Sequence, residues 1–170
     1  VAKSLLENGS GYEEDVVSGI DWCVNQNVNI ISLSLGGGQD LFPLLGSSSR
    51  TIEDSVNDAM ARGIFVVAAA GNDGGEEDDG DVASPGSERR VICVGGVTQS
   101  GSHWSKSSTG NNAVSFFPPK LPRGDPDKKP ELVAPAKDVP VLNAQGTWSS
   151  SSGTSAATVF VTGALALLLE

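Results

Sequence analysis

Histidine, aromatic residues and cysteine are all scarce in this sequence. A single histidine stands among 170 residues, and phenylalanine, tryptophan and tyrosine together make up 5%. The two cysteines, Cys23 and Cys93, lie in separate apolar segments and form no Cys-x-x-Cys pair. We therefore expect two buried free thiols, with a disulfide between them as the open alternative.

Positive charge is also in short supply. Lysine and arginine number 11 against 21 aspartate and glutamate residues, which gives a formal net charge of −10. Nucleic acids and anionic membranes attract cationic surfaces, so this balance argues against both as partners. Much of the acidic excess is concentrated in residues 73–81.

Long hydrophobic runs are missing as well. The apolar stretch at residues 158–169 is shorter than the roughly 20 residues of a membrane span, and we expect it to form a core helix. Residues 1–6 have the pattern of a strand rather than a secretion signal. The last residues run into Glu170 without a helix-ending glycine or proline. We expect residues 1–170 to be part of a larger domain.

What the sequence does contain is glycine, at 21 residues, and 38% hydrophobic residues. This composition suits a globular α/β domain with many tight turns. Alternating strands and helices imply right-handed crossovers and a mostly parallel sheet. The predicted elements are strand 2–6, helix 13–25, strand 29–35, helix 51–62, strands 64–69 and 91–97, extended pieces 132–134 and 139–142, and a helix from about residue 154.

The segment Gly153-Thr154-Ser155-Ala156-Ala157 opens the last predicted helix. The first backbone N–H groups of a helix have no partner within it, and the helix dipole is positive there. A serine at this point can act as a nucleophile whose tetrahedral intermediate is stabilised by nearby N–H groups. The alternative is that Thr154 or Ser155 is an ordinary N-cap.

Two glycine clusters, at residues 36–38 and 71–75, follow predicted parallel strands, where ligands bind in such sheets. Neither cluster matches a dinucleotide or P-loop pattern, which disfavours a nucleotide site but leaves it as a rival. Asn72 lies within the second cluster. Its side-chain amide can donate to a developing oxyanion, and the alternative is a simple turn residue.

Taken together, ordered segments of the chain resemble the subtilisin-like serine peptidases, or subtilases. The resemblance covers almost the whole chain apart from the loop 41–50, the acidic loop and a proline-rich stretch at 114–130. It implies a three-layer α/β/α fold, truncated here at both ends. The segments that carry it are Gly9-Ser10-Gly11, Gly19-Ile20-Asp21-Trp22, Ser34-Leu35-Gly36-Gly37, Ala69-Ala70-Gly71-Asn72, Glu131-Leu132-Val133-Ala134-Pro135 and Gly153-Thr154-Ser155-Ala156-Ala157.

The resemblance implies a serine endopeptidase that acts on protein or peptide substrates and requires no cofactor. Ser155 is then the nucleophile, and Asn72 supplies the oxyanion-hole amide together with the backbone N–H of Ser155. The family's members are commonly secreted, which implies an extracellular location. The implied substrate-binding segments are Gly9 to Gly11 (Gly9, Ser10, Gly11) and Ser34 to Gly36, which hold the substrate backbone between them. The implied walls of the main specificity pocket are Ser34, Leu35, Gly36 and Gly37 on one side and Ala69, Ala70 and Gly71 on the other. Thr154 lies beside the nucleophile.

A serine nucleophile needs a base, and the chain offers only His103. In subtilases the order along the chain is Asp, His, Ser, whereas His103 follows Asn72 in a turn where we expect a surface residue. We therefore expect the parts that carry the catalytic Asp and His to be missing from these residues. The alternative is a non-catalytic, peptide-binding relative. Alone, the chain should be close to inactive.

Other positions depart from the family pattern without removing a catalytic atom. Val159 and Phe160 replace the usual Pro-His pair after the nucleophile, Ala156 replaces Met, and Ala136 replaces Gly. The acidic stretch 73–81 could hold a structural calcium ion, as subtilases often do, or be a solvated loop. A truncated parallel sheet would expose apolar surface, so we also expect the isolated piece to self-associate.

Overall fold

Four parallel strands form the central sheet of the computed structural model, which describes residues 11–36, 50–74, 82–110 and 129–170. Three helices and a separate two-stranded hairpin complete the described elements. In chain order they are α1 (Glu13–Asn25), β1 (Ile30–Leu33), α2 (Ile52–Ala61), β2 (Phe65–Ala69), β3 (Ile92–Val97), β4 (Leu132–Pro135), β5 (Val139–Leu142), β6 (Trp148–Ser151) and α3 (Thr154–Leu168).

The strands lie side by side in sequence order, β1-β2-β3-β4. The register pairs Ile31 with Val66 and Ala68 with Cys93, and β4 joins through Gly96 and Ala134. Most side chains of β2 and β3 are buried, as expected for strands covered on both faces. All four carboxyl ends therefore lie at the same edge of the sheet.

Helices α1 and α2 cover one face. Apolar side chains at helical spacing, such as Val16 and Ile20 on α1 and Val56 and Met60 on α2, pack on alternate residues of β1 and β2. Thr51 begins α2 through a capping box, in which its hydroxyl accepts the N–H of Asp54 and the Asp54 carboxylate accepts that of Thr51.

Helix α3 covers the opposite face and completes the three-layer arrangement. Ala157 is fully enclosed, and Val161 and Leu165 pack on the same apolar cluster as Val67 and Val94 of the sheet. Small residues on the first turns of α3 let it lie close to the strands. The predicted α/β fold with a mostly parallel sheet and three layers is thus confirmed.

The prediction that α3 is a core helix holds only for one side of it. Phe160 is 50% exposed and Leu168 is 82% exposed. The helix is apolar around its whole circumference, and in the described part of the chain only one side faces the sheet. Self-association through this surface stays a prediction.

Most element predictions are confirmed to within a residue or two. The hairpin strand β6 was not predicted, because its sequence, Trp-Ser-Ser-Ser, has no apolar alternation. Neither cysteine forms a disulfide; Cys93 is buried as expected, whereas Cys23 is only partly so. The predicted strand 2–6, the loop 41–49 and residues 114–128 of the proline-rich stretch lie outside the described residues. No described helix meets the length and apolarity that a bilayer span requires.

An ion pair between a buried lysine and a partly exposed glutamate joins the starts of β3 and β4. The side chain of Lys129 is fully enclosed, and its Nζ donates to the backbone oxygen of Val91 at 2.6 Å and lies 2.7 Å from Glu131 Oε1. The other carboxylate oxygen of Glu131 accepts the backbone N–H of Cys93 at 2.8 Å. The pair thus satisfies backbone groups of the strand beside it.

Replacing Glu131 with alanine should lower the free energy of unfolding by about 3 kcal/mol, because the ammonium group of Lys129 then stays buried without its counter-charge. Urea denaturation monitored by circular dichroism measures this. Glu88→Ala is the control, since among the described residues that partly exposed carboxylate accepts a hydrogen bond from Asn57 at the surface, and its loss should cost under about 1 kcal/mol. Equal midpoints for Glu131→Ala and the wild type would show that the pair does not stabilise the sheet.

Candidate active site

Three backbone segments meet at the carboxyl edge of the sheet. The chain leaves β1 through Ser34, leaves β2 through Ala70 and Gly71, and starts α3 at Thr154. Hydrogen bonds connect α3 to both strand ends: Ser34 pairs with Ser155, and Gly71 pairs with Thr154. Because β1 and β2 are neighbours in the sheet, the residues that follow both strands lie beside the first turn of α3.

Helix α3 is capped by a residue from another element. Its N-cap is Gly153, which has no side chain, and neither Thr154 nor Ser155 occupies that position. The carboxamide oxygen of Asn72 accepts the backbone N–H of Thr154 at 2.9 Å instead. The interpretation of Thr154 or Ser155 as an ordinary N-cap is wrong, because the cap is supplied from the end of β2.

The buried hydroxyl of Thr154 reinforces this connection. Its Oγ1 accepts the N–H of Gly71 at 3.2 Å and lies within hydrogen-bond distance of two oxygens, Gly71 O at 3.2 Å and Asn72 Oδ1 at 3.1 Å. The Asn72 oxygen thus faces two donors of one residue. These contacts hold the carboxamide of Asn72 against the start of the helix.

The amide nitrogen of Asn72 and the backbone nitrogen of Ser155 face a common space beside Gly153. A methyl group built on Gly153 would lie 3.7 Å from Asn72 Nδ2 and 3.8 Å from both Asn72 Oδ1 and Ser155 N. Within the described residues, Nδ2 donates no hydrogen bond. Two N–H donors that converge on one small space can bind an oxyanion.

Ser155 itself is partly exposed at the start of α3. Its Oγ lies 3.5 Å from the backbone oxygen of Ser34, and the Ser34 hydroxyl donates to the backbone oxygen of Ser155 at 3.3 Å. This reciprocal pair ties the end of β1 to the candidate nucleophile. The structure therefore places Ser155, Thr154, Asn72, Gly71 and Ser34 together.

Ala83, which the sequence interpretation missed, lies between two of the predicted pocket walls. A methyl group on Gly36 would lie 2.8 Å from the Ala83 methyl, and one on Gly71 would lie 3.5 Å from it. Gly71 also has φ +110°, a conformation that favours glycine. No local motif marks Ala83, so only the folded chain shows that it separates these two glycines.

Of the remaining predicted substrate-binding residues, the structure describes Leu35, Ala69, Ala70 and Gly11. Leu35 is half-buried and packs on the α1/α2 core. Ala69 and Ala70 are buried at the end of β2, and Ala70 packs with Val82 and Cys93. Gly11 is exposed just before α1 and makes no hydrogen bond to Ser155. Gly9, Ser10 and Gly37 lie outside the described residues.

Neither a base nor a metal cluster adjoins Ser155 in the described part of the chain. His103 is exposed in the turn after β3, pairs as an isolated bridge with Val97, and has no hydrogen bond to Ser155. No described group of three or more His, Cys, Asp or Glu side chains could hold a metal ion. Most of the acidic stretch, residues 75–81, is not among the described residues.

Comparisons with known proteins agree with this geometry. The model of the Subtilase family matches residues 1–170. An intracellular serine protease of Paenibacillus polymyxa is 35% identical over 171 residues, which is 100% of this chain and 45% of that protein. Subtilisin DY of Bacillus licheniformis is 34% identical over 168 residues, covering 99% of this chain and 52% of its own length. The chain thus spans about half the length of these relatives.

Solved structures give the same result. Sphericase superposes with a TM-score of 0.71 at 30% identity, over 95% of this chain and 50% of that one. The prenylagaramide maturation protease PagA superposes with a TM-score of 0.73 at 26% identity, over 96% of this chain and 51% of its own.

Replacing Gly153 with alanine should slow the reaction of Ser155 without destabilising the fold. The extended backbone there accepts a side chain and no atom lies closer than 3.7 Å to the new methyl, so we expect a melting temperature within about 2 °C of the wild type. The methyl occupies the space that the two donors face, so the reaction of Ser155 with a serine-directed phosphonate should slow about 100-fold. The measurement is the labelling rate in the longest natural form of the protein.

Gly163→Ala is the matched control, because the same change on α3 meets nothing within 4 Å. It should leave the labelling rate unchanged. Equal labelling rates for both variants would show that the space beside Gly153 is not used.

Proposed function

The chain belongs to the subtilase family, and on this premise we propose that it is the nucleophile-bearing part of a serine endopeptidase catalytic domain. The observation that carries the proposal is the hydrogen bond from the Thr154 backbone N–H to the Asn72 oxygen, with the Thr154 hydroxyl 3.1 Å from the same oxygen. It leaves the Asn72 nitrogen facing the same space as the backbone N–H of Ser155. These are the donors that an acyl-transfer reaction requires.

In the proposed reaction, Ser155 Oγ attacks the carbonyl carbon of a peptide bond while a general base takes its proton, and that proton then passes to the leaving amine. The carbonyl oxygen becomes negatively charged and receives hydrogen bonds from Asn72 Nδ2 and Ser155 N. The intermediate collapses when the amine leaves with a proton, which gives an acyl-enzyme on Ser155, and water then releases the acid. The donors act on charge that develops only in the transition state, so they lower the barrier rather than strengthen substrate binding.

We propose that the base and its orienting carboxylate come from residues outside 1–170. The chain's one histidine is exposed and makes no hydrogen bond to Ser155. The relatives are about twice as long as the chain, which leaves room for both groups. A non-catalytic peptide-binding relative would share the donors but lack this base. No cofactor is needed for the chemistry, and a calcium ion at residues 73–81 would be structural.

Proteins or peptides are the proposed substrates, with the substrate backbone added as a strand beside Ser34–Gly36. Extended peptides bind in this way because backbone groups at a sheet edge are available to pair. Gly9, Ser10 and Gly11 would form the opposite side of the cleft. The family does not fix the compartment, since the relatives include proteases named intracellular as well as subtilisins.

The longest natural form of the protein should hydrolyse casein and be labelled by a fluorophosphonate at one serine, identified as Ser155 by peptide mass spectrometry. Ser155→Ala should abolish both reactions, because the attacking oxygen is gone. Ser100→Ala, in the exposed turn after β3, is the control and should keep both. Specific peptide binding without turnover or labelling in the wild type would favour the non-catalytic alternative.

Ala83 is proposed to limit the depth of the main specificity pocket. Its methyl group lies against the positions where Gly36 and Gly71 lack side chains, so it occupies the space between the two walls. A larger residue there would fill the pocket, and a smaller one would deepen it. Small walls with one methyl between them suit an apolar substrate side chain of medium to large size.

Ala83→Gly should therefore raise kcat/KM for a substrate with Phe before the cleaved bond about fivefold relative to one with Ala, while Ala83→Val should shift the ratio in the opposite direction. A pocket difference of one methylene corresponds to about 1 kcal/mol or more. Paired peptide substrates that differ only at this position measure the ratio. An unchanged ratio in both variants would remove Ala83 from the pocket.

A further inference from the structure

Two buried serines stand beside the candidate site without belonging to any motif. Ser107 and Ser108 follow the turn after β3, and their exposures are 1% and 0%. A buried hydroxyl needs hydrogen-bond partners to offset its lost hydration. The partners of these two hydroxyls therefore indicate what the segment does.

Ser108 bonds the residues on both sides of Asn72. Its backbone N–H donates to the oxygen of Gly71 at 3.1 Å, and its hydroxyl accepts the N–H of Asp73 at 3.3 Å. One residue further on, the N–H of Gly74 donates to the oxygen of Lys106 at 3.0 Å. The loop that carries Asn72 is thus held along its length by one neighbouring segment.

This contact depends on glycines in the loop. A methyl on Gly71 would lie 2.8 Å from Ser108 Oγ, and one on Gly74 would lie 2.5 Å from the backbone oxygen of Ser107. Both distances are too short for a side chain. The close approach of the two segments therefore explains why the loop has glycine at these positions.

Ser107 connects the same segment to the sheet. Its hydroxyl accepts the N–H of Gly96 in β3 at 2.8 Å and lies 3.3 Å from the backbone oxygen of Ser108. Its backbone N–H donates to the backbone oxygen of Trp104, whose side chain is buried in the cluster under α3. Ser108 therefore sits on a support that is anchored in the core.

We propose that Ser108 is a positioning residue for the Asn72 amide. Thr154 holds the side chain of Asn72, and Ser108 holds its backbone from both sides. Oxyanion donors act well only when held within about 0.5 Å of the productive geometry, so loosening the backbone moves the nitrogen out of place. This inference rests on the proposed function for its effect on catalysis, and on the hydrogen bonds alone for its effect on the loop.

Ser108→Ala removes the acceptor for Asp73 N–H and keeps the bond to Gly71. In the longest natural form of the protein, amide hydrogen exchange at Asp73, followed by NMR, should become about fivefold faster, the effect of losing one typical hydrogen bond. In the same variant kcat should fall about tenfold with KM unchanged. Ser55→Ala in α2 is the control: this serine is equally buried, and its hydroxyl bonds Arg50 and Thr51, the two residues that precede the helix. Ser55→Ala should change neither quantity.

A double-mutant cycle distinguishes positioning from general destabilisation. If Ser108 acts through Asn72, Ser108→Ala should cost almost nothing more in the Asn72→Ala background. A full additional tenfold loss there, or unchanged Asp73 exchange in the single variant, would overturn the inference. A wild-type protein without turnover would refute the proposed function instead, and the exchange at Asp73 would then decide on the positioning role by itself.

Discussion

The hydrogen bond from the first N–H of α3 to the carboxamide of Asn72 is the constraint on which the candidate site depends. It joins the end of β2 to the start of α3 across 82 residues of sequence. A helix start left without a cap would have orphan donors in a partly buried position. The bond satisfies one of them and fixes the orientation of the amide, so stability of the helix start and arrangement of the donors have the same origin.

The parallel sheet brings the other parts to this point. Because β1 and β2 are neighbours that run in the same direction, Ser34 and Gly71 leave the sheet side by side. Small residues keep the gap narrow: glycine at 36 and 71 allows Ala83 to approach both segments, and glycine at 153 leaves the donors uncovered. The site therefore depends on positions that lack a side chain as much as on the side chains that it contains. Its few polar groups are held both by the backbone and by one another.

The parts of this arrangement that could be predicted are those with a local pattern. The acidic first turn and apolar spacing of α1 identified its bounds, and the Ser155 segment and Asn72 were identified by resemblance to ordered family motifs. What could not be predicted depends on contacts between distant segments. The alternative of a cap supplied by Thr154 or Ser155 is wrong, because the cap comes from Asn72 at the end of β2. Ala83 and Ser108 have no local pattern, because their roles arise only when loops from three strand ends pack together.

The side chain of Asn72 has two roles, one for its oxygen as the helix cap and one for its nitrogen as a donor. As a cap alone, aspartate would serve at least as well as asparagine, because a carboxylate accepts the same N–H and interacts favourably with the positive end of the helix dipole. The oxygen of the side chain therefore explains the helix cap but not the choice of an amide. The nitrogen is what asparagine adds, and in the described residues it bonds no protein group while facing the space beside Gly153. A donor held in place and left without a protein acceptor is what a site for a transient oxyanion requires.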